Sequence, residues 1–356
     1  GVVGARIVGL DQRIAGVGKI LGAGPAGIAA PLQPGLPHAA PGYLGRAQVA
    51  QDISAVDGNG MLIETTLYRD IGLDLLADDL CHRDVEVCLQ AGERGRRVVW
   101  TPHSTLVAPR PSRSDVVSPH EAEHMLSRWI GRLADDPTFH PALSLQRQDA
   151  ALESQLPGWP TRDNHDLPRI LGMGFGSEGS WQFRGAQPLA ALTRQGLSQT
   201  GTVAMPRDRV RVPNATELAR LGVDSLLLYN TIHDDQLQAL RDYRRFNDVF
   251  ITFGQDDLIT ALPALNPLRN TVYKDIKKRL RTALSLCDRL IVTTETLGRQ
   301  FRGLVGDIRV GPNRRDPRWS QLKSERRTGI RLRVGWVGAP QHEGDLGHLR
   351  GLCVEP

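Results

Sequence analysis

Residues 225–253, SLLLYNTIHDDQLQALRDYRRFNDVFITF, decide the fold. Leu226 to Tyr229 is an apolar run too short for a helix and reads as a buried strand. Asp234 to Phe246 follows as a helix, with two acids at its start, where a helix N-terminus favours negative charge. Val249 to Phe253 is then a second strand, rich in β-branched and aromatic residues. A strand, a helix and a strand in succession make the unit from which parallel sheets are built.

The alternation continues in both directions. Upstream, Arg169 to Met173 reads as a strand, followed by a glycine-rich turn (Gly174, Gly176, Gly179) and a helix from about Phe183 to Gln195. Downstream, Lys274 to Leu286 is a helix, Arg289 to Thr293 a strand, Glu295 to Leu304 a helix and Ile308 to Val310 a strand. Repeated units of this kind predict an α/β protein with a Rossmann-like, doubly wound parallel sheet and helices on both faces. Val334 to Val337 reads as the first strand of one more unit.

The N-terminal part is less regular. Its first 50 residues are rich in Gly, Pro and Ala, which predicts short strands and loops. Ser54-Ala55-Val56 and Met61-Leu62-Ile63 read as strands around a turn at Gly58 and Gly60. Thr66 to Ile71 reads as a short helix ended by Gly72, and Asp84 to Glu93 as a helix stopped at Gly95. Arg97 to Trp100 is a strand broken by Pro102, and Pro119 to Leu133 a further helix. Residues 156–166 hold two prolines and several polar residues and read as a linker. The expected organisation is a mixed α/β region at 1–155, the linker at 156–166, the parallel-sheet domain at 167–328, and the start of another domain at 329–356.

Composition narrows the class. The chain has 356 residues, 40% of them hydrophobic, which suits a globular protein of two domains. It has no apolar run near the ~20 residues that span a bilayer and no signal-peptide pattern, so a cytoplasmic location is expected. Cys81, Cys88, Cys287 and Cys353 are scattered, without C-x-x-C pairs, and read as free thiols. The net charge of +5 is uneven: residues 269–333 hold 18 Lys/Arg against 6 Asp/Glu. Few aromatics accompany them, which argues against nucleic acid. Such a face is either simply solvated or meets a polyanionic lipid-linked substrate or the inner membrane surface.

Two glycine patterns invite a dinucleotide reading. Gly22, Gly24 and Gly27 match G-x-G-x-x-G, but Pro31, Pro34 and Pro37 follow too soon for the helix whose N-terminus would face a pyrophosphate. Gly174, Gly176 and Gly179 lie between a strand and a helix and can either cradle a phosphate or make a tight turn. Neither pattern has the acidic strand end about 20 residues on that would bind a ribose.

Other residues carry a family resemblance. Ser54-Ala55-Val56-Asp57-Gly58, Leu67-Tyr68-Arg69-Asp70-Ile71-Gly72, Arg83-Asp84-Val85-Glu86-Val87-Cys88-Leu89, the string GRRVVWTP at 95–102, Arg128-Trp129 and Asp136-Pro137 together resemble the later half of a family-2 glycosyltransferase domain of the GT-A fold. The resemblance covers roughly residues 1–150. It places Asp84 as the general base that takes a proton from the acceptor hydroxyl, with Asp57, Arg83 and Glu86 as substrate-binding neighbours. A carboxylate at a helix N-terminus suits that task and equally suits an N-cap. Arg83 departs from the family's Glu or Asn, and the stretch Leu106 to Pro109 has no metal-binding His. The nucleotide-binding half, with its D-x-D site for Mn²⁺ or Mg²⁺, would precede residue 1, so no metal ligand is expected in this chain.

The second half resembles the acceptor-side Rossmann domain of a GT-B glycosyltransferase. The residues that carry the likeness are Gln187-Pro188-Leu189, His233-Asp234-Asp235-Gln236-Leu237, Asp256-Asp257-Leu258, Lys274 to Leu280, Cys287 to Thr294 and Pro312-Asn313. The string VGWVGAPQHEGD at 334–345 resembles the entrance to the donor domain. What the resemblance implies is transfer of a sugar from a nucleotide-sugar donor to a glycan or lipid-linked acceptor of a bacterial surface polysaccharide. Asp256 and Asp257 would contact the acceptor or cap a loop; His342 would line the cleft.

Overall fold

The computed structural model describes residues 1–72, 81–108, 117–158, 167–174, 178–203, 211–262, 266, 269–271, 273–314 and 316–321. In chain order the first elements are β1 (Val2–Val8), β2 (Lys19–Leu21), β3 (Ala29–Pro31), β4 (Gln51–Asp52), β5 (Met61–Ile63), α1 (Thr65–Ile71), α2 (Arg83–Glu93), β6 (Val98–Val107) and α3 (Pro119–Ala134). They continue with β7 (Arg169–Gly174), α4 (Glu178–Trp181), a π-turn at Gln182–Ala186, α5 (Gln187–Arg194), β8 (Gln199–Thr202), α6 (Ala215–Leu221) and β9 (Ser225–Tyr229). The last are α7 (Asp234–Phe246), β10 (Phe250–Gln255), α8 (Ile276–Ser285), β11 (Arg289–Val292), α9 (Glu295–Gln300) and β12 (Asp307–Val310).

The chain forms two compact units. The first is Gly1–Asp166 joined by Val203–Asp224 and Arg241–Val249; the second holds the other described residues from Leu167 onward. A single cut at 156–166 therefore misplaces two segments. Their attachment is polar and specific: Thr216 Oγ1 donates to Gly27 O at 2.6 Å, Asn247 Nδ2 donates to Ala215 O at 3.1 Å, and the Tyr243 hydroxyl donates to Pro213 O. No apolar pattern announces such bonds.

The first unit is built on a four-stranded mixed sheet in the order β4-β6-β1-β5, with β1 and β6 parallel, and a separate β2-β3 hairpin. One core gathers Val2, Ile20, Leu21, Val85, Val87, Trp100, Trp129 and Leu133, all nearly inaccessible. Pro102 does not end β6. The register against β1 jumps there, with Ala5 opposite Thr101 and Arg6 opposite Thr105. A bulge is where a strand tolerates a residue without an N–H. Helix α1 ends at Gly72, which adopts φ 67°, and α3 starts from Ser118, whose side chain accepts from Glu121 N.

The second unit is a six-stranded sheet in the order β12-β11-β10-β9-β7-β8, every neighbouring pair parallel. This is the α/β architecture with a parallel sheet that the strand–helix alternation implies. The central strands carry the buried runs Leu226, Leu228, Ile251, Phe253, Leu290 and Val292. Strand order reverses between β7 and β9, because the chain steps outward to β8 and then crosses back over β7. The space outside the carboxyl ends of β7 and β9 is the place where such sheets take ligands.

Candidate functional site

In the first unit Asp84 lies in the first turn of α2 and reaches β2. Its Oδ2 accepts from Lys19 Nζ at 2.5 Å and from Gly58 N at 2.9 Å; its Oδ1 accepts from Val85 N at 2.7 Å. Lys19 and Asp84 are both largely buried, with side-chain exposures of 14% and 11%. Burial pulls the Lys19 ammonium down, but the charges of Asp84 and Asp57 and the hydrogen bond from Lys19 to Asp84 outweigh it, and the group sits above its ordinary value. Asp57 turns toward its own loop, where Oδ1 accepts from the backbone and side-chain nitrogens of Asn59. One turn along α2, burial pushes the Cys88 thiol up to about 12, so it stays protonated.

Sequence reading missed Lys19. Its signal was present: a single lysine between apolar Val17, Ile20 and Leu21 in a buried strand requires a carboxylate partner.

Glu86 lies in the core. Its oxygens accept from Gln90 Nε2 at 2.9 Å, Arg128 Nη1 at 3.0 Å and Trp129 Nε1 at 2.7 Å. Two landmarks of the resemblance, residues 83–86 and Arg128-Trp129, thus meet at one carboxylate and clamp α2 onto α3. A third, Asp136, accepts from Leu21 N, Ser54 Oγ and Thr138 N, tying β2 to the loop after α3. Arg83 is half-buried at the first residue of α2.

The first glycine pattern forms the β2-β3 hairpin, with no helix behind it. Gly22, Gly24 and Gly27 all have positive φ. A Cβ at Gly22 would stand 2.4 Å from Leu133 O, and one at Gly27 3.0 Å from the Asn214 side chain. Close packing accounts for these glycines.

In the second unit the carboxyl edge of the sheet gathers polar groups from four strands. The Tyr229 hydroxyl, at the end of β9, donates to Asp256 Oδ1 at 2.5 Å, just beyond β10. Thr293 Oγ1, beyond β11, donates to Asp256 O at 3.3 Å. Arg184, in the π-turn, donates to Gly311 O at 2.5 Å, Asn313 Oδ1 at 3.2 Å and Ile291 O at 3.3 Å. Burial first, then the hydrogen bond to Asp256, raises the Tyr229 phenol far above its ordinary value, against an opposing bond from Ser180. Burial lowers the Arg184 guanidinium, while Asp256 and Tyr229 counter that pull. Asp256 is half-buried and Asp257 exposed. Burial, then the charges of Asp257 and Asp256, raises the Tyr273 phenol. Neither Tyr229 nor Arg184 was singled out from the sequence; each becomes visible only once the strands are in order.

The second glycine pattern divides. Gly174 ends β7, and a Cβ there would meet the Trp181 ring at 2.1 Å; Gly172 and Gly185 face the same ring. These glycines make a bed for an indole. Gly179 has open space around it, and Gly176 and His342 lie outside the described residues. Among the described residues no three His, Cys, Asp or Glu side chains converge to hold a metal ion, and no helix is long and apolar enough to cross a membrane.

Comparison with known proteins adds little to this geometry. No family model matches the chain, and no solved structure matches it. An uncharacterized protein of Sinorhizobium fredii, y4gI, is 32% identical over 169 residues, a stretch that takes in 45% of this chain and 18% of that protein. The chain thus aligns with less than a fifth of a much longer relative.

Proposed function

We propose that this chain is part of a bacterial glycosyltransferase that moves a sugar from a nucleotide-sugar donor to a growing surface glycan. The first unit is the rear part of a GT-A domain and the second the acceptor-side domain of a GT-B enzyme. The observation that carries the reading is the carboxyl edge of the six-stranded sheet, where Tyr229, Asp256, Thr293 and Arg184 converge beside the strand-order reversal. Hydroxyls, one carboxylate and one guanidinium are the groups that recognise the hydroxyls of a sugar. The edge is therefore the acceptor site of the second unit.

In the first unit Asp84 is the candidate base. A carboxylate has about four acceptor directions, and internal donors take three of them, which leaves one for an acceptor hydroxyl. Among the described residues no cluster of His, Cys, Asp or Glu side chains could hold a metal ion beside Asp84. The Lys19 pair also favours a second reading, in which the first unit is a folded remnant that binds glycan and performs no transfer.

Titration of the chain with UDP- and GDP-sugars in the presence of Mn²⁺, with NADH as the comparison ligand, tests the proposal. Binding of an oligosaccharide acceptor, added to the same titration, that Asp256→Asn weakens about tenfold supports it, the scale of one charge-assisted hydrogen bond. Tight NADH binding refutes it. In a longer form of the protein that turns over, Asp84→Asn should lower the rate by about 10²-fold or more if Asp84 is the base. An unchanged rate leaves Asp84 a structural residue and favours the remnant reading of the first unit.

A further inference from the structure

Helix α8 presents a cationic face that neither unit's candidate site uses. Residues 269–286 contain Arg269, Lys274, Lys277, Lys278, Arg279 and Arg281 against one acid, Asp275. Ile276, Leu280, Ala283 and Leu284 are buried, so one side of the helix is fixed against its own unit. Lys277, Lys278 and Arg281 lie on the other side, all exposed, with exposed Lys274 and Arg269 just before the helix. Spacings of three and four residues put Lys278 and Lys277 beside Arg281 on one surface. Among the described residues, none of Lys274, Lys277, Lys278 and Arg281 has an ion-pair partner, whereas the half-buried Arg279 pairs with Asp234 at 3.5 Å.

We infer that this face docks on an anionic lipid bilayer. Like charges held side by side repel one another, and a negative surface relieves that repulsion. Three features select a bilayer over nucleic acid. Three of the five exposed cations are lysines, which act as point charges where arginines grip a phosphate bidentately. Among the described residues, the exposed face carries no aromatic side chain for stacking against bases. The 3₁₀ turn at Ile259–Ala261 packs against α8 and follows Leu258, a leucine left 38% exposed; an exposed apolar side chain suits the headgroup boundary. The inference is independent of the sugar-transfer reading.

Co-sedimentation of the full chain with vesicles of phosphatidylcholine, with and without about one-third phosphatidylglycerol, reads it directly. Each cation near an anionic surface is worth about a fivefold change in partitioning. Wild-type protein should bind the anionic vesicles and release in high salt. The variant K274Q/K277Q/K278Q/R281Q should bind them about 10²-fold or more weakly, with an unchanged circular-dichroism spectrum. K274R/K277R/K278R should retain binding, and the pair R96Q/R132Q in the first unit should leave it nearly unchanged. No vesicle binding by wild type, equal binding by the quadruple variant, or capture of a single-stranded or duplex oligonucleotide in place of vesicles overturns the inference.

Discussion

At the scale of single residues the decisive contact is Lys19–Asp84. Each group is buried enough that its charge needs the other, and removing one partner leaves an uncompensated ion. Lys19→Met is expected to destabilise the first unit by about 3–5 kcal/mol, the usual cost of breaking a buried pair. Adding Asp84→Asn to that variant should recover much of the loss, because the stranded charge disappears. Urea unfolding of the two single variants and the double variant measures the coupling; strict additivity would show that the pair is energetically idle. The Lys19 ammonium is held above its ordinary 10.5, so its own share of the pair's contribution is not reduced below that pH. It is lost only as pH climbs through the higher folded value. Asp84 was legible in the sequence as a carboxylate at a helix N-terminus. Its partner was not, because nothing in a linear pattern says that a lysine some sixty positions upstream will lie beneath that helix.

Among elements, agreement between sequence and structure follows the strength of the local signal. Strands β7, β9, β10, β11 and β12 and helix α7 stand within a residue or two of where apolar runs and acidic starts place them. Helix α1 ends at Gly72 and α2 ends at Glu93, two residues before Gly95, because a left-handed backbone is cheap only for glycine there. Helix α6 went unread. It has seven residues, and its start is fixed by the capping box between Asn214 and Glu217, with little periodicity to betray it. The glycine patterns were legible as patterns, but their meaning was not, since a fingerprint and a packing bed use the same residue. Gly22 separates the two meanings. Its φ of 74° and the 2.4 Å approach to Leu133 O leave no room for a methyl group. Gly22→Ala should therefore cost about 1–3 kcal/mol or more, from strain and overpacking together, measured as a fall in the thermal midpoint. A neutral substitution would mean that the hairpin shifts freely, and the packing explanation would fail.

Over the whole molecule the chain leaves its first unit, builds part of the second and returns, so the first unit is closed by residues distant in sequence. One ion cluster makes that closure pH-dependent. Arg211 pairs with Glu153 and with Glu217, and all three side chains are 15% exposed or less. Burial pushes the Glu153 carboxyl up. Bonds from Arg211, Gln155 N and Ser144 outweigh it and hold the group down to about 2, against an ordinary 4.5. A carboxylate whose folded pKa is depressed contributes stability that is complete above its unfolded value. That stability drains away as pH falls from about 4.5 toward 2. Wild-type protein should accordingly lose urea resistance through this window. Arg211→Met removes the cation and leaves two carboxylates facing each other, so it should be destabilised at pH 7 and regain ground relative to wild type as acid neutralises them. Urea midpoints of both proteins at pH 7, 4 and 3, followed by tryptophan fluorescence, compare the two slopes. Parallel slopes would mean that Glu153 does not titrate against Arg211, and that residues 211–224 are held to the first unit by their apolar contacts and by other bonds such as that from Thr216 to Gly27.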